Sequence, residues 1–293
     1  MELSVFHAAI YGVVQGLTEY LPVSSSAHLL LLPHFLGISD PGTAFDVWTH
    51  VGTLGATLWY FRADWGRVFQ GGYLVVNQGL RGKKAWPELS GENDGSSFAP
   101  YLVVATLPAV VVGFFLHKLV ETELRSPLIT VFTLSIGGVF LFIADWRANR
   151  MTEQALLEGR RGDDSLSPKF SYGKAFKIGL FQCLSLIPGF SRSGSTMMGA
   201  RFLGLYRSQA ARFSFLLSGP ITAGAVIIEM KPVLASLKSG DLSVTLLVVA
   251  VLSSFLSGLL AIGLLLKFVQ KVGFLPFTVY RLLLAAIVWW KII

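Results

Sequence analysis

Apolar residues along this chain run in blocks too long and unbroken for ordinary soluble helices. The blocks cover 45–61, 99–116, 127–145, 211–230, 243–266 and 274–290, most of them near the ~20 residues that cross a hydrocarbon core. They predict about six transmembrane helices. Two further apolar stretches, 1–36 and 173–205, follow a different pattern. Each is broken near its middle, by Leu21-Pro22-Val23-Ser24-Ser25-Ser26 in the first and by Pro188-Gly189-Phe190-Ser191-Arg192-Ser193 in the second. A spanning helix tolerates such a break only where the freed backbone groups find protein or water partners. Two short helices meeting at a polar tip fit better, so both stretches are expected to be re-entrant hairpins.

The broken stretches also resemble each other. Gly12-x-x-Gln15-x-Leu17 leads to Pro22 and its serines, and Gly179-x-x-Gln182-x-Leu184 leads to Pro188 and its serines. Three candidate spans follow each hairpin. An odd number turns the second half upside down relative to the first, which makes an inverted-topology repeat. The expected architecture is an all-α integral membrane protein. Its first repeat covers 1–145 (hairpin 1–36 plus three spans), a cytoplasmic linker covers 146–172, and an inverted second repeat covers 173–293 (hairpin 173–205 plus three spans).

Composition agrees with this class. Of the 293 residues 53% are hydrophobic and 14% charged, with a mean hydropathy of +0.62, whereas soluble domains carry about a quarter charged residues. The net charge of +7 does not point to nucleic acid, because the cations punctuate membrane segments. With the first hairpin entering from the periplasm, Arg62, Arg67, Arg81, Lys83, Lys84, Arg147, Arg150, Arg160, Arg161, Lys169, Lys174, Arg201, Arg207, Arg212, Lys267 and Lys271 fall inside. Only Lys118, Arg125, Lys231, Lys238 and Lys291 then fall outside, as the positive-inside rule expects. Both termini are placed in the periplasm, and an inner membrane is expected. Residues Met1 to Ala9 lack the basic region of a cleaved signal. Trp65, Trp86, Trp289 and Trp290 read as interfacial anchors, and the lone Cys183 as a packed thiol. A homodimer is compatible with small residues such as Gly194 and Gly199, which serve internal packing equally well.

Chemistry is sought among polar residues deep in the membrane, where they are costly. Gln15 and Glu19 lie four apart and share a helix face. Ser24, Ser25 and Ser26 follow at the break, and His28 begins the next short helix. So many polar groups give an apolar hairpin no structural benefit. The second hairpin supplies the opposite charge: Arg192 sits between Ser191 and Ser193, followed by Ser195 and Thr196. A guanidinium offers a bidentate fork and a helix start offers oriented N–H donors, so this tip suits a phosphate. Arg192 also suits an ion pair with Glu19 across the repeat interface, and the two roles are compatible. Asp46 and His50, one turn apart, are candidates for a supporting or proton-relay role.

Gln15-x-x-x-Glu19 with Leu21-Pro22-Val23-Ser24-Ser25-Ser26-Ala27-His28, together with Pro188-Gly189-Phe190-Ser191-Arg192-Ser193-Gly194-Ser195-Thr196, resembles the undecaprenyl pyrophosphate phosphatases, or bacitracin-resistance proteins. The pattern of that family allows Glu or Gln where this chain has Gln15, and Ser26 and Ala27 stand where relatives often carry Thr and Gly. The resemblance implies hydrolysis of undecaprenyl pyrophosphate, with a divalent cation, at a membrane site open to the periplasm. In that light Glu19 and Gln15 hold Mg²⁺ or Ca²⁺. Arg192 clamps the terminal phosphate with Ser24, Ser26, Ser191, Ser193 and Thr196, and Ser25 attacks with His28 as base. Two variants stay open: His28 as the nucleophile, or a cation-activated water. The rival reading is a lipid-phosphate flippase, since inverted repeats with broken helices are common in transporters.

Overall fold

The computed structural model describes residues 3–80, 98–157, 170–240 and 242–292, and all its regular structure is helical. The helices are α1 (Val5–Tyr20), α2 (Ser25–Leu36), α3 (Thr43–Tyr60), α4 (Arg62–Leu80), α5 (Phe98–Thr122), α6 (Pro127–Leu157), α7 (Tyr172–Cys183), α8 (Arg192–Phe202), α9 (Arg207–Ser239), α10 (Val244–Val272) and α11 (Leu275–Ile292). A 3-10 turn, Leu184–Leu186, extends α7 toward its tip.

Four helices, α5, α6, α9 and α10, are long and apolar enough to cross a membrane. They turn large apolar side chains outward, among them Phe114, Phe115, Ile227, Leu252 and Leu256. The chain is a multi-pass membrane protein. The other two expected spans, 45–61 and 274–290, correspond to α3 and α11, each 18 residues long and not among those four. Both turn polar side chains inward: α3 buries Thr49, Thr53 and Thr57, and α11 buries Thr278 and Arg281.

Contacts between the halves are exchanged crosswise. α1 packs most extensively on α10, while α7 packs on α5 and α11 on α6. Glycine makes the two hairpin contacts close. A Cβ at Gly12 would collide with the carbonyl oxygen of Ala250, and one at Gly179 with that of Ala105. The Gly-x-x-Gln pattern shared by the two hairpins therefore marks the places where each first helix presses against the other half.

Four expectations change. Arg62–Leu80 forms α4 rather than an extended loop, and Arg147–Leu157 continues α6 before the linker. Residues 81–97 with Trp86, and 158–169 of the linker, lie outside the described residues. Trp65 is 9% exposed and lies against Gly219, so it is a core residue rather than an anchor; Trp289 and Trp290 are exposed. Arg201 and Arg207, read as topology signals, are structural: Arg201 is 2% exposed, and both bind Asp145, at 2.9 and 2.6 Å.

Candidate active site

The two hairpin tips are built alike. Leu21, just before Pro22, ends α1 in an extended conformation, and Ser24 then takes φ 75°; in the second tip Ser191 takes φ 71°. These are the described non-glycine residues with positive φ, a conformation that costs roughly 1–3 kcal/mol. Each serine caps the helix that follows: Ser24 accepts the N–H of Ala27 and Ser191 that of Gly194. The sharp reversal opens a helix N-terminus at each tip, with Ser25 starting α2 and Arg192 starting α8.

The tips meet, and their charges pair. One Nη of Arg192 lies 2.6 Å from Glu19 Oε1, and the other donates to the Ser214 carbonyl at 2.9 Å. Glu19 Oε2 accepts from Gln15 Nε2 at 2.9 Å and from the Ser25 hydroxyl at 2.7 Å. His50 Nε2 lies 3.5 Å from the same oxygen. Hydroxyls stitch the two tips: Ser193 donates to the Leu21 carbonyl at 3.1 Å, and Ser26 accepts the Gly189 N–H at 3.5 Å. Ser24 lies 3.1 Å from Ser26, and Ser191 lies 3.2 Å from Ser193. Thr196 turns away from the tip. Its hydroxyl bonds the Arg192 carbonyl at 2.9 Å and the Ser214 hydroxyl at 2.6 Å, so it braces the helix start that carries Arg192.

Ser25 and His28 are not bonded to each other in this arrangement. Ser25 donates a hydrogen bond to Glu19 at 2.7 Å. His28 holds the Ser24 carbonyl at Nδ1 and the Tyr280 hydroxyl at Nε2, both at 2.7 Å. The geometry thus gathers Gln15, Glu19, Ser25, His50 and Arg192 at one point, with His28 on the neighbouring edge.

A family model described as bacitracin resistance protein BacA matches residues 8–287. The chain belongs to that family. It is 44% identical over 283 residues to an undecaprenyl-diphosphatase of Desulforudis audaxviator, covering 96% of this chain and 95% of that protein. It is 40% identical over 288 residues to one from Gemmatimonas aurantiaca, covering 98% and 97%. A third, from Marinobacter nauticus, is 37% identical over 290 residues, covering 98% of each. In this BacA-family chain the motif residues that suggested the resemblance are those that converge at the tips.

Sequence reasoning missed Arg281, Ser214 and Tyr280. Arg281 is fully buried and its guanidinium serves carbonyls: Leu134 at 3.0, Thr133 at 3.1, Gly189 at 2.9, Phe190 at 3.2 and Pro22 at 3.4 Å. It ties both tips to α6. The signal was present, since a lone arginine inside an apolar span is costly unless it is put to use.

The donor set at Glu19 fits a hard divalent cation. Gln15 turns Nε2 toward Glu19 and leaves Oε1 buried without a hydrogen-bond partner; with the amide turned over, Oε1 would join the Glu19 carboxylate and the Ser25 hydroxyl as an oxygen ligand. Among the described residues no group of three or more His, Cys, Asp or Glu side chains assembles into a cage. A cation held through one or two carboxylates normally shares its remaining positions with phosphate and water, which suits a lipid pyrophosphate site.

Proposed function

We propose that this protein is an undecaprenyl pyrophosphate phosphatase, hydrolysing the lipid pyrophosphate to undecaprenyl phosphate and inorganic phosphate and so recycling the carrier of cell-wall synthesis. The observation that carries this reading is the pairing of Arg192 with Glu19 where the tips meet, with Ser25 on the same carboxylate. Family membership over nearly the whole chain, with relatives that bear the name undecaprenyl-diphosphatase, supports the same conclusion.

Phosphoryl transfer needs positioning and charge neutralisation above all. Arg192 exchanges Glu19 for the terminal phosphate, and the helix starts of α2 and α8 add N–H donors. Ser24, Ser26, Ser191 and Ser193 line the join with hydroxyls, and Thr196 keeps Arg192 in register. Glu19 and Gln15 would hold Mg²⁺ or Ca²⁺, which supplies further charge neutralisation when bound. Ser25 attacks the terminal phosphorus and the bond to the bridging oxygen breaks, releasing undecaprenyl phosphate. His28 Nε2, the ring nitrogen not bound to the backbone, takes the hydroxyl proton after leaving Tyr280. Water then cleaves the phosphoserine. The bare Nε2 also supports His28 as the nucleophile itself, and a phosphoserine or phosphohistidine trapped by rapid quench decides between them.

We place the site in a bacterial inner membrane, open to the periplasm, with both termini outside; the lopsided distribution of basic residues supports this. The crosswise helix contacts, the paired Gly-x-x-Gln approaches and the matching serine conformations support re-entrant hairpins in an inverted repeat. The deciding experiment is phosphate release from undecaprenyl or farnesyl pyrophosphate by purified protein in detergent. EDTA-sensitive release by the wild type is expected. Binding of the lipid without release would favour a flippase.

A further inference from the structure

α11 brings two neighbouring residues to the join of the tips, Tyr280 and Arg281. Arg281 has its part in holding loop carbonyls, whereas Tyr280 belongs to nothing described so far except the contact with His28. Its hydroxyl lies 2.7 Å from His28 Nε2, and the two rings stack with centroids 5.6 Å apart and planes inclined by 5°. On the other side of the imidazole, the Ser24 carbonyl lies 2.7 Å from Nδ1. A carbonyl oxygen only accepts, so Nδ1 carries the ring proton and Nε2 of the neutral ring carries a lone pair. The Tyr280 hydroxyl is the donor to that lone pair.

Both supports of the ring are themselves fixed. Ser24 directs its carbonyl from a backbone at φ 75° and ψ 92°. α11 is locked in register by the Arg281 bonds and by Thr278, whose hydroxyl donates to the Gly138 carbonyl at 2.9 Å. Tyr280 is 44% exposed, so the burial of an aromatic ring does not account for a tyrosine here. Phenylalanine would cover the same surface, and what tyrosine adds is the hydroxyl. The charged group nearest on α11 is Arg281, while Glu19 of α1 is occupied by Ser25, Gln15 and Arg192.

We propose that Tyr280 is a positioning residue for the phosphatase reaction, holding His28 as the Nδ1–H tautomer with its Nε2 lone pair unprotonated and shielded until substrate arrives. The proposal rests on the phosphatase reading, in which His28 acts through Nε2. With lipid pyrophosphate bound, the Nε2 lone pair leaves the tyrosine hydroxyl to take the reacting proton, and the tyrosine oxygen then accepts the new Nε2–H, holding the imidazolium in the orientation set by the Ser24 carbonyl.

The test compares full-length wild type with Tyr280→Phe and Tyr280→Leu. Two quantities are read: steady-state release of phosphate from farnesyl pyrophosphate, and site-resolved acylation of histidines by diethyl pyrocarbonate, followed by mass spectrometry. This reagent attacks an unprotonated, accessible imidazole nitrogen, and peptides separate His28 from His7, His34, His50 and His117. Tyr280→Phe is expected to keep its unfolding temperature and KM and to lose about tenfold in kcat, the equivalent of one well-placed hydrogen bond. His28 is expected to be acylated several-fold faster than in the wild type, with the other histidines unchanged. Unaltered kcat and unaltered His28 acylation in Tyr280→Phe would overturn the proposal, and loss of activity in Tyr280→Leu alone would assign the effect to the ring. A Tyr280→Phe protein whose unfolding temperature falls and whose histidines all label faster would show a structural role and overturn it equally. An inactive wild type would count against the phosphatase reading instead, and the labelling comparison would still decide the contact.

Discussion

Two arginines on the same short helix bind a carboxylate from elsewhere in the chain, and they do opposite things. At the end of α8, Arg201 is held on all sides. Its Nε bonds Asp145, one Nη the Leu205 carbonyl, and the other Asn149 and the Asp145 carbonyl. The second oxygen of Asp145 is taken by Arg207. At the start of α8, Arg192 reaches Glu19, whose other partners are the side chains of Ser25, Gln15 and His50. Gln15 retains an unpartnered acceptor. Both arrangements are buried ion pairs with good geometry. The first is saturated, with two backbone carbonyls among its partners, and the second keeps a spare acceptor on Gln15. Unspent hydrogen-bonding capacity, more than burial or charge, separates the site from the strut.

The comparison breaks most readily at Arg192. Arg192→Lys and Glu19→Gln are expected to lower phosphate release by about 10³-fold, the scale of a lost arginine on a transferring phosphoryl group, and steady-state assays in detergent would show it. Should either variant keep more than a tenth of the wild-type rate, the exchangeable pair is not the site. Asp145→Ala should act on the other quantity. It leaves a buried guanidinium without its carboxylate, a loss of about 3–5 kcal/mol, visible as a lower unfolding temperature while turnover per folded molecule persists. A stable but inactive Asp145→Ala protein would erase the distinction. The smallest effect is expected at Arg212, which bonds Asp64 at 2.5 Å with its own side chain 48% exposed. Arg212→Ala should cost about 0–1 kcal/mol, a thermal shift near the limit of detection, which would set the scale of a solvated ion pair beside the two buried ones.

Much of the site was legible in the chain because it is local. Gln15 and Glu19 share a helix face by spacing alone, and Pro22 and Pro188 announce the breaks that let serines and Arg192 start new helices. The class of fold was legible for a similar reason, since apolar run length is a one-dimensional signal. What escaped is long-range. Ser214 reaches Arg192 from α9 and Tyr280 reaches His28 from α11, and neither follows a spacing rule. The Ser25–His28 pairing that the resemblance implies is not closed in this arrangement, where Ser25 bonds Glu19 of α1 and His28 bonds Tyr280 of α11. Arg201 looked like a topology signal because its burial, to 2% exposure, leaves no trace in composition.

The crosswise packing also sets an order of assembly. α1 leaves the ribosome first, yet the surface that receives Gly12 is at Ala250 on α10, nearly the whole chain later. At 5–20 residues per second the first hairpin waits roughly 10–50 s for Ala250, and Glu19 waits roughly 9–35 s for Arg192. A chain cut at the linker would leave both hairpins without the helices they are shaped to meet.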